Sequence, residues 1–336
     1  VVPGSKPARG RGFSQYRRPA RLGPSGDALT PDPHDAWEPA IPACCTKYPK
    51  PCARRRCGTA VEAAQEGSDP MLQGFTVPLT PQGNSALTPP PPWHYSSDCM
   101  AIEYWADPAA VAALLPPGMV PDTASMGRCF LWFLDWQFTG SNDELTDPAR
   151  YQYREAFILA EARFEGMAVN YCPFIFVDND AALARGWIQG FPKKLGSIFQ
   201  TRSFAAPSPA AAPLATGSRF GASVSAHGER IATARIQLEE AIADPTTVFR
   251  RPTTIRRYFP RLTLTDRDKP PVNELTLSLT DNLTIVDLWA GSAELQLPEV
   301  RGEEMHTLAP LKVGRGYRFS MAYSVTDLQI LKDYTA

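Results

Sequence analysis

The stretch Gly190-Phe191-Pro192-Lys193-Lys194-Leu195-Gly196 is the point from which the rest of the chain can be read. Upstream, Asp178-Asn179-Asp180 offers a helix cap ahead of Ala181 to Trp187, and Gly186 and Gly190 break that helix and deliver the chain to Pro192. Trp187, Ile188, Phe191 and Leu195 flank the two lysines and carry at least one ammonium into apolar surroundings. Burial disfavours the charged form of an amine, and a neighbouring cation disfavours it further. A free lysine is neutral in only ~0.04% of molecules at pH 7, so it needs such an environment to act as a nucleophile. A lysine that has one can form a Schiff base with a ketone or 2-oxo acid. The competing reading is a solvated turn carrying a charged pair.

Moving outward, strand-like runs dominate. Cys129 to Phe138 is nearly continuous in large apolar and aromatic residues, as expected of a strand buried on both faces. From Tyr151 to Glu161 the chain alternates, with Tyr151, Tyr153, Glu155, Phe157 and Leu159 on one face, so that a phenol and a carboxylate stand side by side among aromatic residues. Cys99 to Tyr104, Ala168 to Val177, Ile198 to Phe204, Arg219 to Ala226, Arg230 to Leu238, Leu275 to Leu279, Thr284 to Leu288 and Gly316 to Thr326 also suit strands, separated by Pro, Gly, Asp and Asn clusters. Asp107-Pro108 has the form of an N-cap followed by proline at the first helical position, and Ala109 to Leu115 completes a short helix stopped by Pro116-Pro117-Gly118. Many strands with two short helices predict a mainly β (α+β) domain, a closed β-barrel or double antiparallel sheet.

The domain begins at Met71, which would make a plausible native start. Residues 1–70 are basic, rich in Pro, Gly and Arg, and without a sustained period; they read as a disordered tail and a possible upstream extension of the native protein. Pro89 to Pro92 reads as a stiff connector, with a proline-motif ligand as the alternative. The net charge of -1 gives no field to attract nucleic acid or an anionic membrane, and no apolar run reaches the length of a span. A cytoplasmic protein is expected. Cys44, Cys45, Cys52 and Cys57 lack C-x-x-C spacing and His34 adds no metal-ligand pattern; Cys99, Cys129 and Cys172 read as small core residues. With no dinucleotide fingerprint, P-loop or G-x-S-x-G elbow, and with four histidines far apart, a site without cofactor or metal is the simplest inference.

Taken with Glu155 and Val177-Asp178-Asn179-Asp180, the run Phe191 to Gly196 resembles the acetoacetate decarboxylase superfamily, and the likeness extends from about Trp93 to the C-terminus. Activation of a lysine by desolvation or a neighbouring cation is an established property of acetoacetate decarboxylase. The resemblance implies a β-barrel with an interior site and a Schiff base on the first lysine, Lys193. Because successive side chains of an extended segment point opposite ways, Lys194 falls outside the pocket as a supporting neighbour. The position of the decarboxylase arginine falls near Ser97, and that of one of its two glutamates falls in Phe130-Leu131-Trp132, where no carboxylate stands.

These departures resemble the branch that joins pyruvate to an aldehyde and then dehydrates the product. Its accompanying glutamine, Tyr-x-Glu pair and late tyrosine match Gln189, Tyr153, Glu155 and Tyr323. The resemblance thus implies small-molecule partners, a 2-oxo acid and an aldehyde, with Glu155 moving protons, Tyr153 and Tyr323 on the aldehyde oxygen and Gln189 on the substrate carboxylate. Acetoacetate decarboxylation and a barrel that only binds a ketone or carboxylate are the alternatives. The resemblance and the edge-rich β architecture suggest a homo-oligomer.

Overall fold

The computed structural model describes residues 71–140, 144–206, 208–249 and 251–336, which fall within one compact unit. The tail 1–70, with its four cysteines and His34, lies outside the described residues. No described helix is long and apolar enough to cross a membrane.

The chain order is β1 (Trp93–Trp105), α1 (Pro108–Leu114), β2 (Met119–Pro121), β3 (Arg128–Thr139), α2 (Pro148–Tyr151), β4 (Tyr153–Phe164), β5 (Met167–Val177), α3 (Asp180–Gln189), β6 (Lys193–Leu195), β7 (Ser197–Gln200), β8 (Arg219–Ala226), β9 (Glu229–Ala241), β10 (Thr253–Phe259), β11 (Val272–Gln296) and β12 (Lys312–Asp333). Strands β10, β5, β4, β3, β1, β12 and β11 are hydrogen-bonded in that order, and a further β10–β11 pairing brings the sheet round into a ring. The second half of β11, still paired with β12 as far as Ser292, also pairs with β9, which continues through β8 to β7. The expected mainly β architecture is observed.

Two packed layers explain why β3 lacks polar alternation. Leu131 and Phe133 join the core shared with Phe220, Val224 and Ile236 of β8 and β9. Phe130, Trp132, Leu134 and Trp136 point to the opposite, ring-enclosed core with Ile175, Tyr317 and Phe319. Each face of β3 therefore meets apolar side chains, and the transfer of both faces from water favours the continuous hydrophobic run. Cys99, Cys129 and Cys172 are buried and free, in keeping with their reading as core residues.

Two expectations are corrected. The runs Leu275 to Leu279 and Thr284 to Leu288 belong to one strand, β11. The intervening Asp281-Asn282 reads as a turn in sequence, but the positive φ of Asn282 and Asp287 is absorbed by register shifts against β12, where a bulge bends a strand without ending it. Tyr151 closes α2, so the alternating strand begins at Tyr153. The proline run leads into β1: the Pro89 carbonyl accepts from Trp93 Nε1 at 2.9 Å and the adjoining Thr88 is fully buried, while Pro90 and Pro91 are exposed. Strands β2 and β10 were not anticipated, β2 because three residues carry no period.

The opening stretch lies where α3 meets the ring. Asn179 caps α3 by accepting from the Ala182 amide at 2.8 Å, and Gly190 ends it in the left-handed conformation, φ 107°. The Thr276 hydroxyl of β11 donates to the Gln189 carbonyl at 3.0 Å, anchoring the helix end. A Cβ at Gly190 would lie 2.8–2.9 Å from backbone atoms of Arg257, so the position excludes a side chain both sterically and by its φ. Gly190→Ala is expected to lower unfolding free energy by roughly 1–3 kcal/mol, the range of an overpacked interior, as measured by urea denaturation.

Candidate active site

The pairing Ile175↔Lys193 and Phe176↔Lys194 places β6 parallel to β5 and sends the two lysines to opposite faces. Lys194 is half-exposed and pairs with the buried Glu303 on the outer side. Lys193 is buried and enters the ring, where its Nζ lies 2.6 Å from Glu155 Oε2. The separation predicted from strand alternation is observed. Trp187 Nε1 donates to the Lys193 carbonyl at 2.9 Å and holds the strand in place. The aliphatic stem of Lys193 passes over Gly186, where a Cβ would collide with its Cγ, Cδ and Cε. The glycine read as a helix breaker therefore leaves room for the lysine, and α3 continues past it to Gln189.

A cavity of about 450 Å3 opens beside this pair inside the ring. Lys193, Glu155, Tyr153, Tyr323 and Gln189, five residues from four elements, all line it. Glu155 is held from its other oxygen by Trp136 Nε1 at 3.3 Å. Gln189 is buried and directs one amide hydrogen to the Arg185 carbonyl at 3.3 Å. Tyr323 stacks on Tyr95, its cross-strand partner, at 5.1 Å between ring centres. Ser97 is buried and donates to the Asp98 carbonyl, while Phe130 and Trp132 contribute aromatic wall to the cavity.

Arg185 completes the electrostatics. It is buried one helical turn before Gln189, with its guanidinium carbon 3.7 Å from the Phe138 ring centre and near the rings of Tyr95 and Tyr153. Burial lowers the Lys193 pKa from its ordinary 10.5, the Arg185 charge lowers it further, and Glu155 opposes both. Burial likewise raises Tyr153 and Tyr323 well above 10.0, keeping both phenols protonated as hydrogen-bond donors. With Glu155 paired to Lys193, Arg185 acts on this pair through its charge. Its i, i+4 spacing from Gln189 was the available signal. Tyr95 and Trp136 were missed because their roles arise from pairing across strands.

The acetoacetate decarboxylase (ADC) family profile matches residues 76–335. The chain belongs to the acetoacetate decarboxylase family. It is similar to the enduracididine biosynthesis enzyme MppR, solved with the condensation product of pyruvate and imidazole 4-carboxaldehyde: 33% identity over 78% of this chain and 98% of that one, TM-score 0.73. MppR complexed with pyruvate gives 33% identity over 78% and 99% of the two chains, TM-score 0.72. An acetoacetate decarboxylase-like enzyme from Sphingomonas wittichii RW1 gives 26% identity over 78% and 100%, TM-score 0.71. No curated protein matches. The family is one of lyase-type enzymes, and its members solved with pyruvate lie on the side of the family anticipated from sequence.

The amine of Lys193 is expected to react with an acylating reagent at lower pH than an ordinary lysine. Deprotonation exposes the nucleophile, and a pKa below 10.5 moves that step down the pH scale. Arg185→Met removes a like charge and should shift the labelling profile of Lys193 to higher pH, read by peptide mass spectrometry.

Proposed function

We propose that the protein condenses pyruvate, or a related 2-oxo acid, with an aldehyde through an imine on Lys193, and then dehydrates the adduct. The observation that carries this reading is the buried Lys193–Glu155 pair at 2.6 Å, opening onto a cavity large enough for two small substrates. The similarity to MppR, whose complexes hold pyruvate and a pyruvate–aldehyde condensation product, supports it.

Glu155 takes a proton from the Lys193 ammonium, and the neutral amine attacks the ketone carbon of pyruvate. The carbinolamine loses its hydroxyl as water, which carries off the proton held by Glu155, and becomes a protonated imine while Glu155 returns to its carboxylate form. The imine nitrogen draws electrons from the adjacent methyl group, a C–H proton leaves to Glu155, and the enamine forms. Its methylene carbon bonds to the aldehyde carbon, whose oxygen takes up a proton near the Tyr153 and Tyr323 hydroxyls. Loss of a second proton and of that hydroxyl as water creates the carbon–carbon double bond. Hydrolysis then frees the lysine. The balance is pyruvate plus aldehyde giving a conjugated 2-oxo acid and one water. Gln189 orients the substrate carboxylate with an amide hydrogen, in place of a guanidinium at Ser97.

Borohydride added with pyruvate should leave a reduced adduct on Lys193. The adduct should vanish in Lys193→Ala and persist in Lys194→Ala, and its absence from the unaltered protein would overturn the reading. Glu155→Gln should lower the condensation rate by about 10²–10⁴-fold, the usual range for loss of a positioned acid–base group. Carbon dioxide release from acetoacetate without condensation of pyruvate and an aromatic aldehyde would instead indicate decarboxylation.

A further inference from the structure

The same cavity has a second polar end that the proposed chemistry does not use. Along β4, Glu155, Phe157, Leu159 and Glu161 face inward and all line the cavity. Glu155 and Glu161 are six residues apart, about 20 Å along an extended strand at ~3.3 Å per residue. Asn170 stands opposite Glu161 on β5, and Thr253 of β10 stands beside Asn170. Arg128 and Arg251 complete the far wall. Between the two ends the wall is aromatic: Trp132 stacks with Phe157 at 5.8 Å and 19° and meets Phe249 at 4.7 Å.

The far end is ionic but balanced. Glu161 accepts ion pairs from Arg128 at 3.3 Å and Arg251 at 3.1 Å. Arg251 also pairs with Asp122 at 2.6 Å, Arg163 with Asp122 at 3.0 Å, and Arg128 with Glu103 at 2.6 Å. Three carboxylates thus meet three guanidinium groups, leaving no net charge for an ionic ligand to neutralise. An added carboxylate would face Glu161, and an added ammonium would face Arg128 and Arg251. Four buried polar atoms at this end lack hydrogen-bond partners among the described residues; Asp122 Oδ2 and Glu161 Oε2 lie within ion-pair distance of Arg251 Nη2, which leaves the acceptor Asn170 Oδ1 and the donor Arg251 Nη1. Such atoms favour a group that both donates and accepts.

We infer that this end is a subsite for a neutral hydroxyl group on the carbonyl partner. The favoured partner is therefore an elongated aldehyde with a flat apolar middle, seated along Trp132, Phe157 and Phe249, and a hydroxyl at its far end beside Asn170 and Arg251. As a statement about the aldehyde, this rests on the condensation proposed above.

Two measurements separate the subsite from the reaction. Condensation with pyruvate is compared for 4-hydroxycinnamaldehyde, cinnamaldehyde and 4-carboxycinnamaldehyde. Calorimetry then compares 4-hydroxycinnamyl alcohol with cinnamyl alcohol, which bind without forming an imine. The hydroxylated member of each pair is expected to be favoured about tenfold, as one net hydrogen bond allows, and the carboxylated aldehyde to be the poorest substrate. In Asn170→Ala the ratio between hydroxylated and plain compounds should fall to about one in both assays. Equal handling of the two alcohols by the unaltered protein, or preference for the carboxylated aldehyde, overturns the subsite. A preference among the alcohols with no condensation of any aldehyde upholds the subsite and overturns the reaction.

Discussion

The Lys193–Glu155 pair holds two opposite charges 2.6 Å apart where little water reaches them. Removing such ions from water costs several kcal/mol each, and their attraction offsets this only when geometry is good and remaining polar atoms are satisfied. Much of the local structure serves that requirement. Trp136 binds the second carboxylate oxygen, Trp187 fixes the Lys193 backbone, and Gly186 clears a path for the lysine stem. Arg185 then acts on the balance between the two: it disfavours the ammonium of Lys193.

The ring explains how so polar a centre survives inside a hydrophobic core. Residues of β4 alternate between the two packed layers, so Ala156 and Ile158 join the outer core while Tyr153, Glu155 and Phe157 face the cavity. Tyr95, Phe138 and Tyr323 come from adjacent strands and stack or tilt against one another at 5.1–5.2 Å, giving the site an aromatic frame with few soft degrees of freedom. Placing reactive groups on paired strands holds them more tightly than a loop would, since each strand is fixed by a ladder on both sides. At the opposite end, the Arg128–Glu161–Arg251 network joins β3 and β4 to the segment leading into β10, where the ring closes. The cavity is thus bounded by two polar clusters of different character, one titratable and one charge-balanced.

Much of this was legible from residue patterns. Alternation over Tyr153 to Leu159 put the phenol and carboxylate on one face, and extended geometry after Pro192 separated Lys193 from Lys194. The Asn179 cap and the break at Gly190 were visible as turn chemistry, and each operates through a local hydrogen bond or dihedral. What misled was also local. Asp281-Asn282 carries the composition of a turn, yet long pairing with β12 outweighs that propensity and keeps β11 continuous. Gly186 carries the composition of a helix break, yet it serves packing.

Which of the two lysines turns inward was read from the family resemblance, whereas the strand-rich class, the helix that precedes the lysines and the separation of Lys193 from Lys194 were determined by the sequence itself. Those features depend on side-chain period and on proline and glycine dihedrals, both of which act within a few residues. Only the tertiary structure decided that Glu155 meets Lys193, that Tyr95 stacks on Tyr323, and that Arg185 lies over the rings of Tyr95 and Tyr153. These contacts are set by sheet register and by closure of β10 on β11. The free energy that selects that register comes from burying both faces of the sheet at once, a property of the whole ring that no short stretch of residues records.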